Sequence, residues 1–281
     1  MSRMEEILIL VKAVPPFPKV AQRVLAMLDD PSVKAAQLAE VIQYDAAITA
    51  NILKICNAAI FGLPRKVSSL EEALVVIGTK ELKDIVITSS SAKFYKGKVG
   101  AGYELEQGDL WRHSVAAAIV AKHLSPYVKG TNASAAFTTG LLHDIGKRFL
   151  SSFVSDDFPR IINKVDEQQC SFVEAEKELL GATHAEIGAM ILENWEFDKE
   201  MVAAVREHHD ADALRKGPLS ALIALSNAVV VSIGIGGGAD GLATKIQGDG
   251  LKKYGITSQI IESCMTHLLI ELEKAEEVLN L

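Results

Sequence analysis

The chain has 281 residues, 49% of them hydrophobic, 23% charged and 6% aromatic, which suits one large globular domain or two modest ones packed by aliphatic side chains. Lys and Arg number 29 against 36 Asp and Glu, a net charge of −7 with no dense basic run, so the electrostatic footprint of a nucleic-acid binder is missing. Cys56, Cys170 and Cys264 lie far apart and match no zinc-ribbon spacing; reduced thiols and a cytoplasmic setting are expected.

Taken in order, the residues read as helices almost throughout. Met1 to Val14 has a short apolar run but carries Glu5, Glu6 and Lys12, unlike a signal peptide. Val14-Pro15-Pro16-Phe17-Pro18 is extended, because stacked prolines forbid a helix. Helices are predicted over Val20–Leu28, Val33–Gln43 and Ala46–Phe61, the last ended by Gly62-Leu63-Pro64. Ser68 with Glu71 forms a capping box for a helix that stops at Gly78, and Thr79 starts another to about Phe94. Three glycines within 97–102 mark a joint, which predicts a division into 1–98 and 103–281.

Beyond the joint, helices are predicted over Asp109–Leu124 and, capped by Asn132, over Ala133–Leu142. Gly146 is expected to bend the chain. Phe158–Gln168, Phe172–Leu180, a Thr183/Glu186-capped helix to Trp195, and Lys199–His209 capped by Asp198 follow. Leu219–Gly238 is the one membrane suspect. Its serines, Asn227 and terminal glycines, with no aromatic anchors, fit a buried core helix better. Ile256–Leu281 closes the chain as an amphipathic helix. No strand alternation and no fixed repeat is visible, so the expected fold is all-α.

The chemistry concentrates in histidines and acids. Asp109 and His113, four apart on one helix, share a face. His143 and Asp144 are adjacent, which on a straight helix points them about 100° apart; they serve one cluster only at a helix end or bend. His208 and His209 repeat the adjacent pattern, and His184 opens its own helix. Singly, each of these histidines reads as a surface or satisfied core residue, and the 208–209 pair as a helix end favoured by the macrodipole. Together they take five of the seven histidines, leaving only His123 and His267 outside the pattern. Imidazole plus carboxylate without thiolate suits a divalent transition metal, iron, manganese, nickel or zinc, in an open reactive site. Two such ions can clamp a phosphate ester, and Lys147, one turn past His143, can balance phosphoryl charge.

These residues carry a resemblance. The N-terminal segments Pro15-Pro16-Phe17-Pro18, Ile42-Gln43-Tyr44-Asp45-Ala46-Ala47-Ile48-Thr49 and Ile55-Cys56-Asn57-Ala58-Ala59, together with the half from Asp109 to Asn227, are similar to HDOD proteins, a branch of the HD superfamily used in bacterial signal transduction. The resemblance implies a helical N-terminal lobe packed on an HD-type helical bundle. It implies metal ligands at Asp109, His113, His143, Asp144, His184, His208 and His209, with Asn227 where HD hydrolases have Asp, and catalytic positions at Asp144 and Lys147. The metal would be one ion or a pair, with iron or manganese ahead of zinc and nickel. The Gly-Tyr-Pro signature of cyclic-di-GMP phosphodiesterases is absent after His209. The expectation is a regulatory module with a metal site and without efficient catalysis, the alternative being an active metal-dependent phosphohydrolase. The partners expected are signalling proteins and a nucleotide or phosphate ligand, with neither nucleic acid nor membrane.

Overall fold

The structure, a computed structural model, describes residues 3–57, 66–95, 101–236, 238–239 and 248–279. It is helical, with no strand among the described residues. The expected helix end at Gly62-Leu63-Pro64 and most of the glycine joint at 97–102 lie outside the described residues.

Two compact units emerge. The first comprises Pro16–Lys93 and Glu273–Leu281. It contains α2 (Lys19–Met27), α3 (Ala35–Ile42), α4 (Ala46–Cys56), α5 (Leu70–Ile77) and most of α6 (Thr79–Tyr95). Here α3 packs on α2 and α5, and α5 on α4, around Phe17, Val24, Leu38, Ile42, Ile48, Ile52 and Ile77. Asp45 caps α4 by accepting the N–H groups of Ala47 and Ile48. The amide of Asn57 donates to the carbonyls of Leu53 and Val67 and accepts the N–H of Val67, tying the end of α4 to the chain ten residues on. The cap of α5 is Ser69, whose hydroxyl accepts from Glu72, so the expected Ser68/Glu71 box is one residue early. Gly78 ends that helix at φ +81°, a conformation that favours glycine.

The second unit comprises Met1–Pro15 and Phe94–Leu272. It opens with α1 (Arg3–Lys12), a helix in the segment where only an apolar run was read. Its buried Ile7 and Val11 go against α9 (Ile145–Gln168) and α11 (His184–Asn194). The centre is α7 (Asp109–Leu124), packed along α8 (Ala133–Leu142) and α14 (Pro218–Ser232). Small residues let α7 and α8 approach closely: a Cβ on Gly140 would stand 2.9 Å from the Ala117 carbonyl oxygen. α10 (Phe172–Leu180) packs on α9, and α12 (Lys199–Glu207) on α11 and α14. The short helices α13 (Ala213–Lys216) and α15 (Gly248–Lys253) were not expected, and α16 (Ser258–Leu279) closes the described chain.

The apolar segment from Leu219 forms α14, buried along most of its length, and among the described residues no helix is long and apolar enough to cross a membrane. α9 starts thirteen residues before the predicted Phe158 and runs through Pro159. The bend expected at Gly146 falls instead at Asp144 (φ −100°, ψ 11°), between α8 and α9. Gly146 serves a different purpose: a Cβ there would lie 1.9 Å from the His184 carbonyl oxygen, so its bareness allows α9 and α11 to touch.

Candidate metal centre

The α8–α9 turn explains how adjacent residues reach one site. His143 is the last residue before the break and Asp144 the first after it, so both point inward despite being neighbours. His208 and His209 stand likewise in the turn that follows α12. His113 comes from the first turns of α7, His184 from the start of α11, and Asn227 from the middle of α14.

Asp144 is the hub. Its Oδ2 lies 3.4 Å from His113 Nε2 and 3.3 Å from His143 Nε2; its Oδ1 lies 3.4 Å from His184 Nε2 and 3.5 Å from His208 Nε2. Donor atoms fall into two groups that share this carboxylate: Asp144 with His184, His208 and His209, and Asp144 with His113 and His143. Lys147 Nζ stands 2.7 Å from Oδ2, an ion pair outside hydrogen-bond geometry. Asn227 lies with its Oδ1 3.1 Å from His113 Nε2.

The far side of each ring fixes its tautomer. Nδ1 of His113 donates to the Ile235 carbonyl, that of His143 to Gly140 and that of His208 to Val205. Nδ1 of His184 donates to Glu176 Oε2. A carbonyl or carboxylate can only accept, so each neutral ring carries its proton on Nδ1 and presents a bare lone pair at Nε2. Those lone pairs face the carboxylate of Asp144, acceptor against acceptor. Nε2 of His143, His184, His208 and His209 and both oxygens of Asp144 are buried without a hydrogen-bond partner. Unpaired buried polar atoms are costly. Converging lone pairs of imidazole and carboxylate are what a divalent transition ion requires, so the residues present fit such an ion.

The electrostatics agree. Burial pushes His113 and His208 down to about 4 and His209 well below the usual imidazole range, which keeps these rings neutral. Burial also pushes His184 down, but the adjacent Glu176 outweighs it and the net shift is upward. Burial alone would raise the Asp144 carboxyl; His143 and the Lys147 ammonium hold it well below the usual carboxylate range.

Asp109 is not brought into either group of donors. Its carboxylate turns back to accept the N–H of Glu106, closing the turn that leads into α7. The chain at Gly236 takes the space beside it, with room for a Cβ only 2.8 Å from the Asp109 carbonyl oxygen and 2.9 Å from His113 Cβ. Glu176 is the residue that sequence reasoning missed. It is fully buried, accepts the backbone N–H of His184 at 2.8 Å as well as Nδ1 at 3.0 Å, and accepts the Tyr103 hydroxyl. The signal was present: Phe172, Ala175, Glu176 and Leu180 share the buried stripe of α10, and a carboxylate on an apolar stripe needs a partner.

The chain is similar to known proteins over most of its length. An uncharacterized protein of Treponema pallidum (strain Nichols) is 22% identical over 232 residues, covering 77% of this chain and 42% of that protein. The chain thus spans less than half the length of this relative. The crystal structure of an HDOD domain protein from Geobacter sulfurreducens superposes with a TM-score of 0.72 at 22% identity, covering 97% of each chain. That of a candidate phosphohydrolase from Shewanella amazonensis SB2B superposes with a TM-score of 0.63 at 21% identity, covering 93% of this chain and 97% of that one. At these identities the likeness shows a shared fold. The HDOD domain profile matches residues 14–211, from the proline-rich start of the first unit past His208 and His209, and the chain belongs to the HDOD domain family.

Proposed function

We propose that the protein is a regulatory module in which Asp144 and the imidazoles around it hold a divalent transition ion, and in which that ion fixes the state of the helical unit rather than turning over a substrate. The observation that carries this reading is the convergence of Nε2 of His143, His184, His208 and His209 with both Asp144 oxygens, all buried and none hydrogen-bonded. Its enclosure supports regulation over catalysis: His143, Asp144 and His184 have no exposed surface, and His113, His208 and Asn227 have 2% or less. A phosphate ester needs room beside the metal. Asn227 further removes a negative charge that a hydrolytic pair of ions would use. Imidazole with carboxylate and no thiolate suits iron, manganese, nickel or zinc, and the resemblance to HD proteins is what puts iron or manganese first. When bound, such an ion supplies Lewis acidity; the protein's part is to orient the rings of His113, His143, His184 and His208 through their Nδ1 bonds and to keep water out.

Signalling proteins, together with a nucleotide or phosphate group, are the partners this reading proposes. In its favour, the first unit carries a groove of about 520 Å³ between α2 and α3, lined by Lys19, Arg23, Glu40 and Tyr44 among others. Tyr44 is 80% exposed there.

A second reading has one observation in its favour. His209 is only partly buried although its Nε2 belongs to the cluster, so one edge of the centre lies nearer to solvent. A phosphoryl group approaching that edge would make the chain a metal-dependent phosphohydrolase with Asp144 and Lys147 as catalytic residues.

Elemental analysis of protein purified without a His tag, followed by assay of bis(p-nitrophenyl) phosphate with added Mn(II) or Fe(II), separates the two. The regulatory reading expects bound metal that is lost in Asp144→Ala, with no turnover by the unaltered protein. Turnover that disappears in Asp144→Ala establishes hydrolysis instead. Protein that retains no metal under any loading condition overturns both.

A further inference from the structure

The two groups of donors that share Asp144 are unequal. On the Oδ1 side stand His184 and His208, with His209 in the same group, three imidazoles in all. One of them is backed by a carboxylate, because His184 Nδ1 donates to buried Glu176. On the Oδ2 side stand two imidazoles, His113 and His143, each backed only by a backbone carbonyl. The remaining neighbours there are the neutral amide of Asn227, at His113 Nε2, and the ammonium of Lys147, at Oδ2 itself. An amide can turn to donate to a ring nitrogen, which a carboxylate cannot do. On the Oδ2 side His113 Nε2 thus has a partner within the protein and only His143 Nε2 lacks one, whereas on the Oδ1 side Nε2 of His184, His208 and His209 all lack one.

Charge sharpens the difference. A cation on the Oδ1 side meets Asp144 and, behind His184, the negative charge of Glu176. A cation on the Oδ2 side meets the same Asp144 but must also lie beside a buried ammonium already paired with that oxygen. Like charges close together in a poorly solvated interior repel strongly.

We propose that this chain holds one ion rather than two, seated among Asp144, His184, His208 and His209, and that the Lys147 ammonium supplies on the Oδ2 side the positive charge a second ion would bring. This rests on the reading that the centre binds metal. In this arrangement Glu176 is a positioning residue, acting through His184, and Asn227 and Lys147 together close the second position.

The test is stoichiometry. The metal-free full chain is titrated with Co(II), whose visible ligand-field bands report its coordination, and metal per chain is measured after gel filtration. The expected result is one ion per chain. His208→Asn should abolish it, and His113→Asn should retain it with the same spectrum. Glu176→Gln, which keeps the shape and acceptor but removes the charge, should weaken it by about 10–100-fold, the usual effect of losing a charged partner behind a ligating His. The double variant Lys147→Met/Asn227→Asp should take up a second ion, with circular dichroism checking that it is folded. Two ions of similar affinity in the unaltered protein overturn the single-ion inference but leave metal binding standing. One ion lost in His113→Asn and kept in His208→Asn overturns its seat on the Oδ1 side. No ion at all overturns the metal reading itself. The stoichiometry of the unaltered protein decides between one ion and two even if a variant fails to fold.

Discussion

A carboxylate as buried as Asp144 keeps its charge because a cation, the Lys147 ammonium 2.7 Å from Oδ2, is buried beside it. The neutral rings have a consequence for the metal-free protein. His113 and His208 are pushed from 6.5 to about 4, so between those values the unfolded chain binds protons that the folded chain refuses. Stability is therefore full above about pH 6.5 and falls as pH drops toward 4, each residue contributing up to about 3 kcal/mol. His209 adds in the same direction. His184, raised by Glu176, works oppositely and loses its contribution as pH rises through its folded value. Thermal melts of chelator-treated protein from pH 7 to 4.5 should fall steeply, and less steeply in His208→Asn. Gly146→Ala tests the contact beneath the centre. The added Cβ meets a backbone oxygen at 1.9 Å, so His184 or α9 must shift, and a loss of at least about 1–3 kcal/mol by urea denaturation is expected, together with loss of metal. The convergence of His113, His143, Asp144, His184, His208 and His209 was legible, because imidazoles recur at helix ends where they can meet. Asp109 misled because sharing a face with His113 says nothing about which way a first-turn carboxylate turns, and here a backbone N–H claims it. Glu176 was passed over because a glutamate within a charged helix looks solvated until the stripe it lies on is counted.

Helices whose ends carry their own chemistry were readable to the residue. Asn132 accepts from Ser134 and Ala135 to open α8, and Thr183 and Glu186 cap α11 reciprocally; α10 has the same box in Ser171 and Glu174, which the reading of Phe172–Leu180 did not use. Where two serines are adjacent the pattern alone cannot choose, and α5 uses Ser69. Ser69→Ala should cost about 1 kcal/mol in urea denaturation while Ser68→Ala costs little; the reverse result would restore the earlier cap. The front half of α9 was missed for a physical reason. Its buried face carries Gly146, Lys147, Ser151 and Asp157 among the apolar residues, so the hydrophobic period is broken where the site needs polar groups. α1 was missed because its inward face is only Ile7 and Val11 while Leu8 and Ile9 are exposed, leaving almost no amphipathic signal.

For the molecule as a whole, every residue of the cluster, from His113 to Asn227, belongs to the unit formed by Met1–Pro15 and Phe94–Leu272. Metal should therefore stabilise that unit by mass action, by about 2.7 kcal/mol at one hundred times the dissociation constant. Hydrogen exchange should show the added protection in α7, α8, α11, α12 and α14, with α2 to α5 unchanged. Equal protection in both units would mean that they unfold as one. The helical class was legible throughout the sequence, since no segment alternated with period two, whereas the assignment of α1 to the same unit as the cluster was not, because sequence distance hides it.

One property of the centre reaches into how the protein would be handled at the bench. An ion held by side chains of which several have no exposed surface at all would be shielded from a scavenger in the buffer on every side but that of His209. Its release waits for the helices to part, so the stripping rate should climb with EDTA at low concentration and then level off at the rate of that opening. The plateau would time the breathing of the helices directly, and metal acquired during folding would outlast dialysis against modest chelator.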